Sequence, residues 1–265
     1  LVVVDVGYGL SVLVQDPSGT ALLVDGGYDE EAPVVREALT QAGVDSLALM
    51  VASHGHGDHL EGLTRLLREG FPVGRVIGNV PPGHGSFDSL FWRGLGGVPY
   101  RQVGAGDSMT VGGMTLHVLH PDTLTGDLNE SSMVVRLTMG SHRVLLPGDI
   151  GVDTQELLAR TRNDALRADI LVAPHHGDLI TARFWKCVDP AWVLVPVGPN
   201  PWELPDTTSL RVAAGRRLID TRCDGTVVLS LGEEGIAVAC RSPHSFTERR
   251  EAEMAARIRR WRRAQ

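Results

Sequence analysis

Residues 54–59 read His-Gly-His-Gly-Asp-His, which places four strong metal ligands, His54, His56, Asp58 and His59, within six positions. Imidazole nitrogens and carboxylate oxygens together suit zinc, manganese or iron. An apolar run, 47–53, leads into them, and Leu60, Leu63, Leu66 and Leu67 follow at helical spacing. A strand that ends in a ligand-bearing turn and then enters a helix gathers several side chains on one spot. Two later segments repeat the design. Residues 144–149 are an apolar run that ends in Asp149, and residues 170–177 are another that ends in His175, His176 and Gly177. Strand ends on one edge of a folded sheet converge even when they lie far apart in sequence. The sum, several His and two Asp, suits a two-metal centre. There a carboxylate bridges ions about 3.5–4 Å apart, and metal binding lowers the pKa of water to about 7, so that it attacks at neutral pH.

The elements that must carry these turns are short. Residues 2–6, 11–15 and 21–24 read as strands joined by Gly- or Pro-bearing turns. Residues 33–42 read as a helix, with Pro33 in its first turn and Gly43 just past its end. Strand 47–53, helix 60–69 and strand 73–77 follow, then a Gly/Pro-rich loop over 79–98. Strands at 109–112, 114–119, 133–138 and 143–146 come next, then a helix near 153–160 and strand 169–173. The last part reads as strand 192–197, a helix near 207–214, and strands 226–231 and 235–240. Strands in runs with helices interspersed predict an α/β fold of two mixed sheets packed face to face with helices outside. This αββα sandwich fits better than a doubly wound parallel sheet. No linker divides residues 1–241, which are expected to form one domain. A charged, helix-prone tail, 242–265, follows them.

With 43% hydrophobic residues in 265, the chain can bury a sizeable core, and no apolar run is long enough to span a membrane. The net charge of -7 gives no general attraction for nucleic acid, so a nucleic-acid role needs local contacts. Cys187, Cys223 and Cys240 are far apart and odd in number, which indicates neither a disulfide framework nor a structural zinc knuckle.

The His54-Gly-His56-Gly-Asp58-His59 run resembles the H-x-H-x-D-H signature of the metallo-β-lactamase superfamily. Asp5-Val-Gly, Asp25-Gly-Gly, Asn129-Glu-Ser-Ser132, Pro147-Gly-Asp149 and Pro174-His175-His176-Gly177 follow in the order of that superfamily. The set is most similar to the soluble hydrolase domain of ComEC-type DNA-uptake proteins, and it covers residues 2–240. The resemblance implies that His54 and His56 hold a first metal ion and Asp58 and His59 a second, with Asp149 bridging and His175 completing the second site. The implied cofactors are two divalent ions, Zn2+ or Mn2+. Asp58 and Asp149 are the candidates for moving the proton of the attacking water. Asp25 matches a carboxylate that orients ligands, and Asp5, Asn129, Ser132, His176 and His84 are candidates for supporting ligands or touching substrate. Three departures fall around this core. Many members of the superfamily supply a further His to the first metal from the loop before a central strand, where this chain offers Asn129 and Ser132, as the ComEC branch does. The N-terminal motif carries Tyr8 and Leu10 where the ComEC branch has a polar pair, and Asn200-Pro-Trp202-Glu-Leu-Pro205 stands where that branch has Gly-His-Pro.

The resemblance implies a metal-dependent phosphodiesterase or nuclease acting on DNA or a nucleotide-containing substrate. It also implies a place within a longer membrane protein of DNA uptake, the compartment of this part remaining open. The altered loops leave room for a hydrolase of small lactones, thioesters or amides. A third class, a binding module without catalysis, would have lost ligands that this chain keeps. Among the weaker candidates, His117 and His120 read as strand and strand-end residues, Phe91 and Trp92 as anchors of the 79–98 loop, and Trp202 either as an anchor or as a face that stacks a base.

Overall fold

The computed structural model describes residues 1–80, 88–206 and 215–241, together with 208, 211 and 213. One sheet contains β1 (Val2–Val3), β2 (Val12–Gln15), β3 (Ala21–Val24), β4 (Leu49–Ala52), β5 (Val76–Gly78) and β6 (Tyr100–Gln102). The late hairpin β14 (Thr226–Gly232) and β15 (Gly235–Arg241) returns to it, in the order β15-β14-β1-β2-β3-β4-β5-β6. The second sheet contains β7 (Ser108–Val111), β8 (Met114–His120), β9 (Val134–Met139), β10 (His142–Leu146), β11 (Ile170–Val172), β12 (Trp192–Val195) and β13 (Arg217–Asp220), ordered β13 through β7. Helices α1 (Ala32–Gln41), α2 (Gly57–Arg68) and α3 (Asp88–Gly94) cover the first sheet. Helices α4 (Val152–Thr161), α5 (Asn163–Leu166) and α6 (Ala182–Val188) cover the second.

The layers follow from period-two alternation in strands that are apolar on both faces. Val12, Val14, Leu22, Val24, Leu49 and Val51 point between the sheets and meet Leu116, Leu137, Val144, Leu146, Ile170 and Leu194. Their neighbours Leu13, Leu23 and Met50 point outward to Val35, Leu39, Leu60, Leu63 and Phe91 of the helices. Leu145, Leu171 and Val193 do the same toward Leu158, Leu166 and Phe184. This is the expected αββα sandwich, with mixed sheets. β3–β6 run parallel within the first and β10–β13 within the second, while the remaining pairs are antiparallel. Parallel strands release their chain at the same end. The turns after β3, β4, β10, β11 and β12 therefore open on one edge of the sandwich.

Several elements differ from the sequence reading. Strand 2–6 is paired only at Val2–Val3, because Asp5 and Gly7 begin a turn in which Gly7 N–H donates to Asp5 Oδ1 at 3.1 Å. Helix α2 starts at Gly57 rather than at residue 60, so Asp58 and His59 lie in its first turn. The 79–98 stretch contains helix α3, and the fully buried Phe91 stacks edge-on against Trp92 and Tyr100. That burial, not loop composition, organises residues 88–98, and Phe91 and Trp92 anchor them. His84 lies outside the described residues, as do the 242–265 tail and much of the expected 207–214 helix. Helix α6 falls where the sequence reading placed no element, and it starts at Thr181, whose Oγ1 accepts from Phe184 N–H as an N-cap.

One close approach seats α2 on the first sheet. Gly62 lies against the turn that follows β3, and a β-carbon there would overlap the Gly26 carbonyl. Gly62 N–H donates to Gly27 O at 2.9 Å, and Gly26 N–H to His59 O at 2.8 Å. The Asp25–Gly27 turn and the first turns of α2 thus form one block.

Candidate metal centre

Asp25 is the hub of that block. It is fully buried and left-handed, with φ 56°, a conformation that Asp and Asn tolerate better than most residues. Its Oδ1 accepts from Ser53 N–H at 2.9 Å. Its Oδ2 accepts from Ser53 Oγ–H at 2.6 Å and from His59 Nδ1–H at 2.8 Å. Ser53 has one hydroxyl proton and gives it to Asp25, so its oxygen accepts from His54 Nδ1–H at 3.0 Å. Each ring nitrogen that faces away from the site is thereby committed, and the opposite nitrogen, Nε2, of His54 and of His59 carries a lone pair toward the site. His176 is built on the same rule. Its Nδ1–H donates to Pro196 O at 3.0 Å, which leaves Nε2 facing Asp58 Oδ2 at 3.2 Å and Asp149 Oδ2 at 3.5 Å. Ser132 was expected in support of the site. It is fully buried, and its Oγ accepts from Asp149 N–H at 3.1 Å and so aims that carboxylate.

Asp58, His59, Asp149 and His176 are all buried, and one ligand atom from each lies within 4.8 Å of every other. His59 Nε2 stands 3.2 Å from Asp149 Oδ1 and 3.8 Å from Asp58 Oδ2, yet this buried atom makes no hydrogen bond. Lone pairs and carboxylates converging in a dry pocket repel one another unless protons or a cation sit among them. The donor set fits a divalent ion. A second pair stands beside it, with His54 Nε2 and His56 Nδ1 3.1 Å apart. Two nitrogens bound at about 2.0–2.1 Å to one tetrahedral ion lie about 3.3 Å apart. Asp149 Oδ2 is 3.9 Å from His54 Nε2, between the two groups.

The two histidines after β11 part ways in the fold. The resemblance put His175 at the second ion and His176 in support, whereas the ring among Asp58, His59 and Asp149 is that of His176. The cause is two consecutive left-handed residues, His175 at φ 48° and His176 at φ 56°, which turn the second imidazole inward and leave the first at the rim. Strain of this kind recurs at functional sites. His175 is 28% exposed, its Nδ1 3.2 Å from Asp178 Oδ2 and its Nε2 3.5 Å from Asn129 Nδ2 and 3.9 Å from Asp149 Oδ2. Asn129 Oδ1 is buried without a hydrogen bond, close to this rim. Asp5 acts within its own turn, as described above. His120 Nε2–H donates to Glu130 O at 2.7 Å and braces the loop, and His117 is a half-buried strand residue. Sequence reasoning did not single out Ser53, which ties the two halves of the site together, or Asp178; a Ser directly before the first His was the available signal for the former.

The electrostatics follow from crowding. Burial alone would push the His176 ring down, but Asp149 and Asp58 outweigh it and raise its pKa to about 9. His59 is likewise held well above the usual range by Asp149, Asp58 and Asp25 against the effect of burial. Burial would raise Asp58, and His59 and His176 instead bring it down to about 2. Asp149 is held well below the usual carboxylate range by the same two rings, again against burial. His54 is pushed well below its usual range by burial and by His59, so it stays neutral and ready to ligate. Without metal, protons on His59 and His176 compensate the two carboxylates. A raised value means that the His176 contribution to stability is fully present below 6.5 and is lost as pH rises through about 9. Chelator-treated protein is therefore expected to lose thermal stability between those pH values, and added Zn2+ or Mn2+ to remove the loss by replacing the protons. A melting temperature that rises over the same interval in chelator would contradict this charge balance.

The comparisons with known proteins agree with this geometry. A family model described as the metallo-beta-lactamase superfamily matches residues 4–183. The chain belongs to this superfamily. Competence protein ComA of Neisseria gonorrhoeae is 27% identical over 238 residues, covering 88% of this chain and 32% of that protein. Recombination protein 2 of Haemophilus influenzae is 26% identical over 210 residues, covering 76% of this chain and 24% of that protein. The chain thus spans about a quarter to a third of the length of these relatives. In fold it is similar to the metallo-beta-lactamase fold protein YhfI of Bacillus subtilis, with a TM-score of 0.56 at 16% identity, over 85% of this chain and 98% of that one. It is also similar to CmlA, a diiron beta-hydroxylase of Streptomyces venezuelae, with a TM-score of 0.54 at 17% identity, over 91% of this chain and 54% of that one. Among the described residues no helix is long and apolar enough to cross a membrane. The chain is a superfamily hydrolase with a buried cluster able to bind metal, and it is similar to a competence protein and a recombination protein.

Proposed function

We propose that this chain is a dinuclear metallo-phosphodiesterase acting on DNA or another nucleotide-containing substrate. Asp58, His59 and His176 hold one divalent ion and His54 and His56 the other, with Asp149 between them. The observation that carries the reading is the buried, unbonded His59 Nε2, aimed with His176 Nε2 at two carboxylates. The competence relatives support the substrate class. Bound ions supply positive charge for the phosphoryl oxygens and ready a water for attack. Zinc and manganese both suit these donors.

The protein residues do the positioning. Asp25 and the Pro196 carbonyl orient His59 and His176, and Ser53 sets the tautomer of His54. Asp58 or Asp149 takes up the proton released by the attacking water. The Tyr8 hydroxyl is pushed far up by burial and by the field of Asp58 and Asp149, so it stays protonated and keeps an O–H to donate to a substrate oxygen. His175, whose Nδ1 lies 3.2 Å from Asp178 Oδ2 at the rim, is the group we assign to protonating the leaving oxygen. The deciding experiment loads purified protein with Zn2+ or Mn2+, measures its metal content, and compares bis(p-nitrophenyl) phosphate and oligonucleotides with simple lactones, thioesters and amides. Hydrolysis of the diesters at two ions per chain is expected. Turnover confined to the carbonyl substrates would replace this reading with that of a small-molecule hydrolase.

A further inference from the structure

The loop after β12 departs from the ComEC-like pattern at Trp202, and its position gives that departure a use. Trp202 is 55% exposed, unusual for so large an apolar ring. The loop that bears it is held from several sides. Asn200 Oδ1 accepts from Trp202 N–H at 3.1 Å and from Leu204 N–H at 3.0 Å, while Asn200 Nδ2–H donates to Gly198 O and Leu204 O, both at 2.9 Å. Asp206 N–H donates to Gly177 O at 2.8 Å, which ties the loop to the turn that carries His176. At its start, Gly198 lies so close to Gly7 and Tyr8 that a β-carbon would collide with their backbone. The ring of Trp202 lies 4.8 Å from that of Tyr8 at a 32° tilt, and Tyr8 lies 4.4 Å from the ring of His176. Tyr8 is itself the other departure from the pattern, and it is buried. The two altered positions, almost two hundred residues apart in sequence, meet as one aromatic stack that runs from the metal centre to solvent.

An aromatic ring that is half exposed, on a loop braced by its own hydrogen bonds, costs little ordering when a planar ring lies on it. The chain carries a net charge of -7, so general attraction for phosphate is weak, and stacking supplies affinity that does not depend on charge. We propose that Trp202, backed by Tyr8, is a stacking platform that seats an unpaired nucleobase next to the scissile phosphodiester. The proposal rests on the phosphodiesterase reading above and adds to it a specificity residue and a demand for a base beside the cleaved bond.

The test uses oligothymidylate and an abasic oligomer of equal length, with wild type, Trp202→Ala and Trp202→Phe, in the metal-loaded protein. Trp202→Ala is expected to raise KM for oligothymidylate about tenfold with kcat little changed, Trp202→Phe to retain most of the affinity, and neither to alter KM for the abasic oligomer. Binding is read apart from turnover by the quenching of tryptophan fluorescence with oligothymidylate on chelator-treated protein. The quench should weaken with the abasic oligomer and vanish in Trp202→Phe. Equal losses on both oligomers, or no loss together with a quench that survives Trp202→Phe, would overturn the platform. If the loaded protein cleaves no diester, the phosphodiesterase reading falls, and the quench still decides the platform: dependent on both base and Trp202, it stands; otherwise it falls too.

Discussion

Asp149→Ala should abolish turnover and strip metal while leaving the fold intact. Asp149 touches both halves of the centre, 3.2 Å from His59 Nε2, 3.5 Å from His176 Nε2 and 3.9 Å from His54 Nε2. If it bridges two ions, its loss removes several kcal/mol of charge stabilisation, a fall in kcat of about 10³-fold or more. Its other tie is through its backbone N–H to Ser132 Oγ, which alanine keeps. The β10 strand that leads to it is anchored by Val144 and Leu146 in the central core, so circular dichroism and thermal unfolding should report a folded protein. Elemental analysis should show less than the wild-type metal content. His142→Ala, half-buried at the start of β10 and bonded to Gly232 O at 2.8 Å, serves as the control and should be near silent. Full activity in Asp149→Ala would remove the bridging role. A large loss in His142→Ala would mean that the site extends beyond the residues placed here.

The second large effect is expected at a residue that touches no metal. Asp25→Ala orphans three buried donors at once, Ser53 N–H, Ser53 Oγ–H and His59 Nδ1–H. Breaking a buried, hydrogen-bonded charge network costs about 3–5 kcal/mol. Removing the carboxylate behind a metal-binding His weakens metal binding about 10–100-fold. Alanine is also strained at the left-handed backbone of residue 25, whereas Asn tolerates it. Asp25→Asn should therefore recover much of the stability in denaturant unfolding and less of the metal affinity, since a neutral amide supports His59 less strongly. An Asp25→Ala protein that unfolds at the wild-type denaturant concentration and binds metal normally would show that His59 does not depend on this network.

Much of this was legible in the chain because the relevant forces are local. Alternating apolar residues specify strands, and Val12, Leu13 and Val14 divide between two cores as their period requires. The ligand run is contiguous at residues 54–59, and the turns that carry Asp149 and His176 each follow an apolar strand of the same kind. Other features were hidden for physical reasons. Helix α3 has no strong periodic pattern and exists because Phe91 finds a place under the sheet. The start of α2 at Gly57 reflects its docking against Gly26 and Gly27, a contact between segments some 35 residues apart.

The amino-acid order alone determined which side chains could ligate, which strand ends would present them, and that the sheets would stack in an αββα sandwich. These follow from residue chemistry and from a two-residue period, both readable one segment at a time. Only the tertiary structure decided which imidazole of the His175–His176 pair enters the centre, because two successive left-handed residues set that direction. It alone brought Ser53, Asp25 and Pro196 behind the rings that they orient, and Tyr8 against Trp202, because these partners meet only after distant turns close on one edge of the fold.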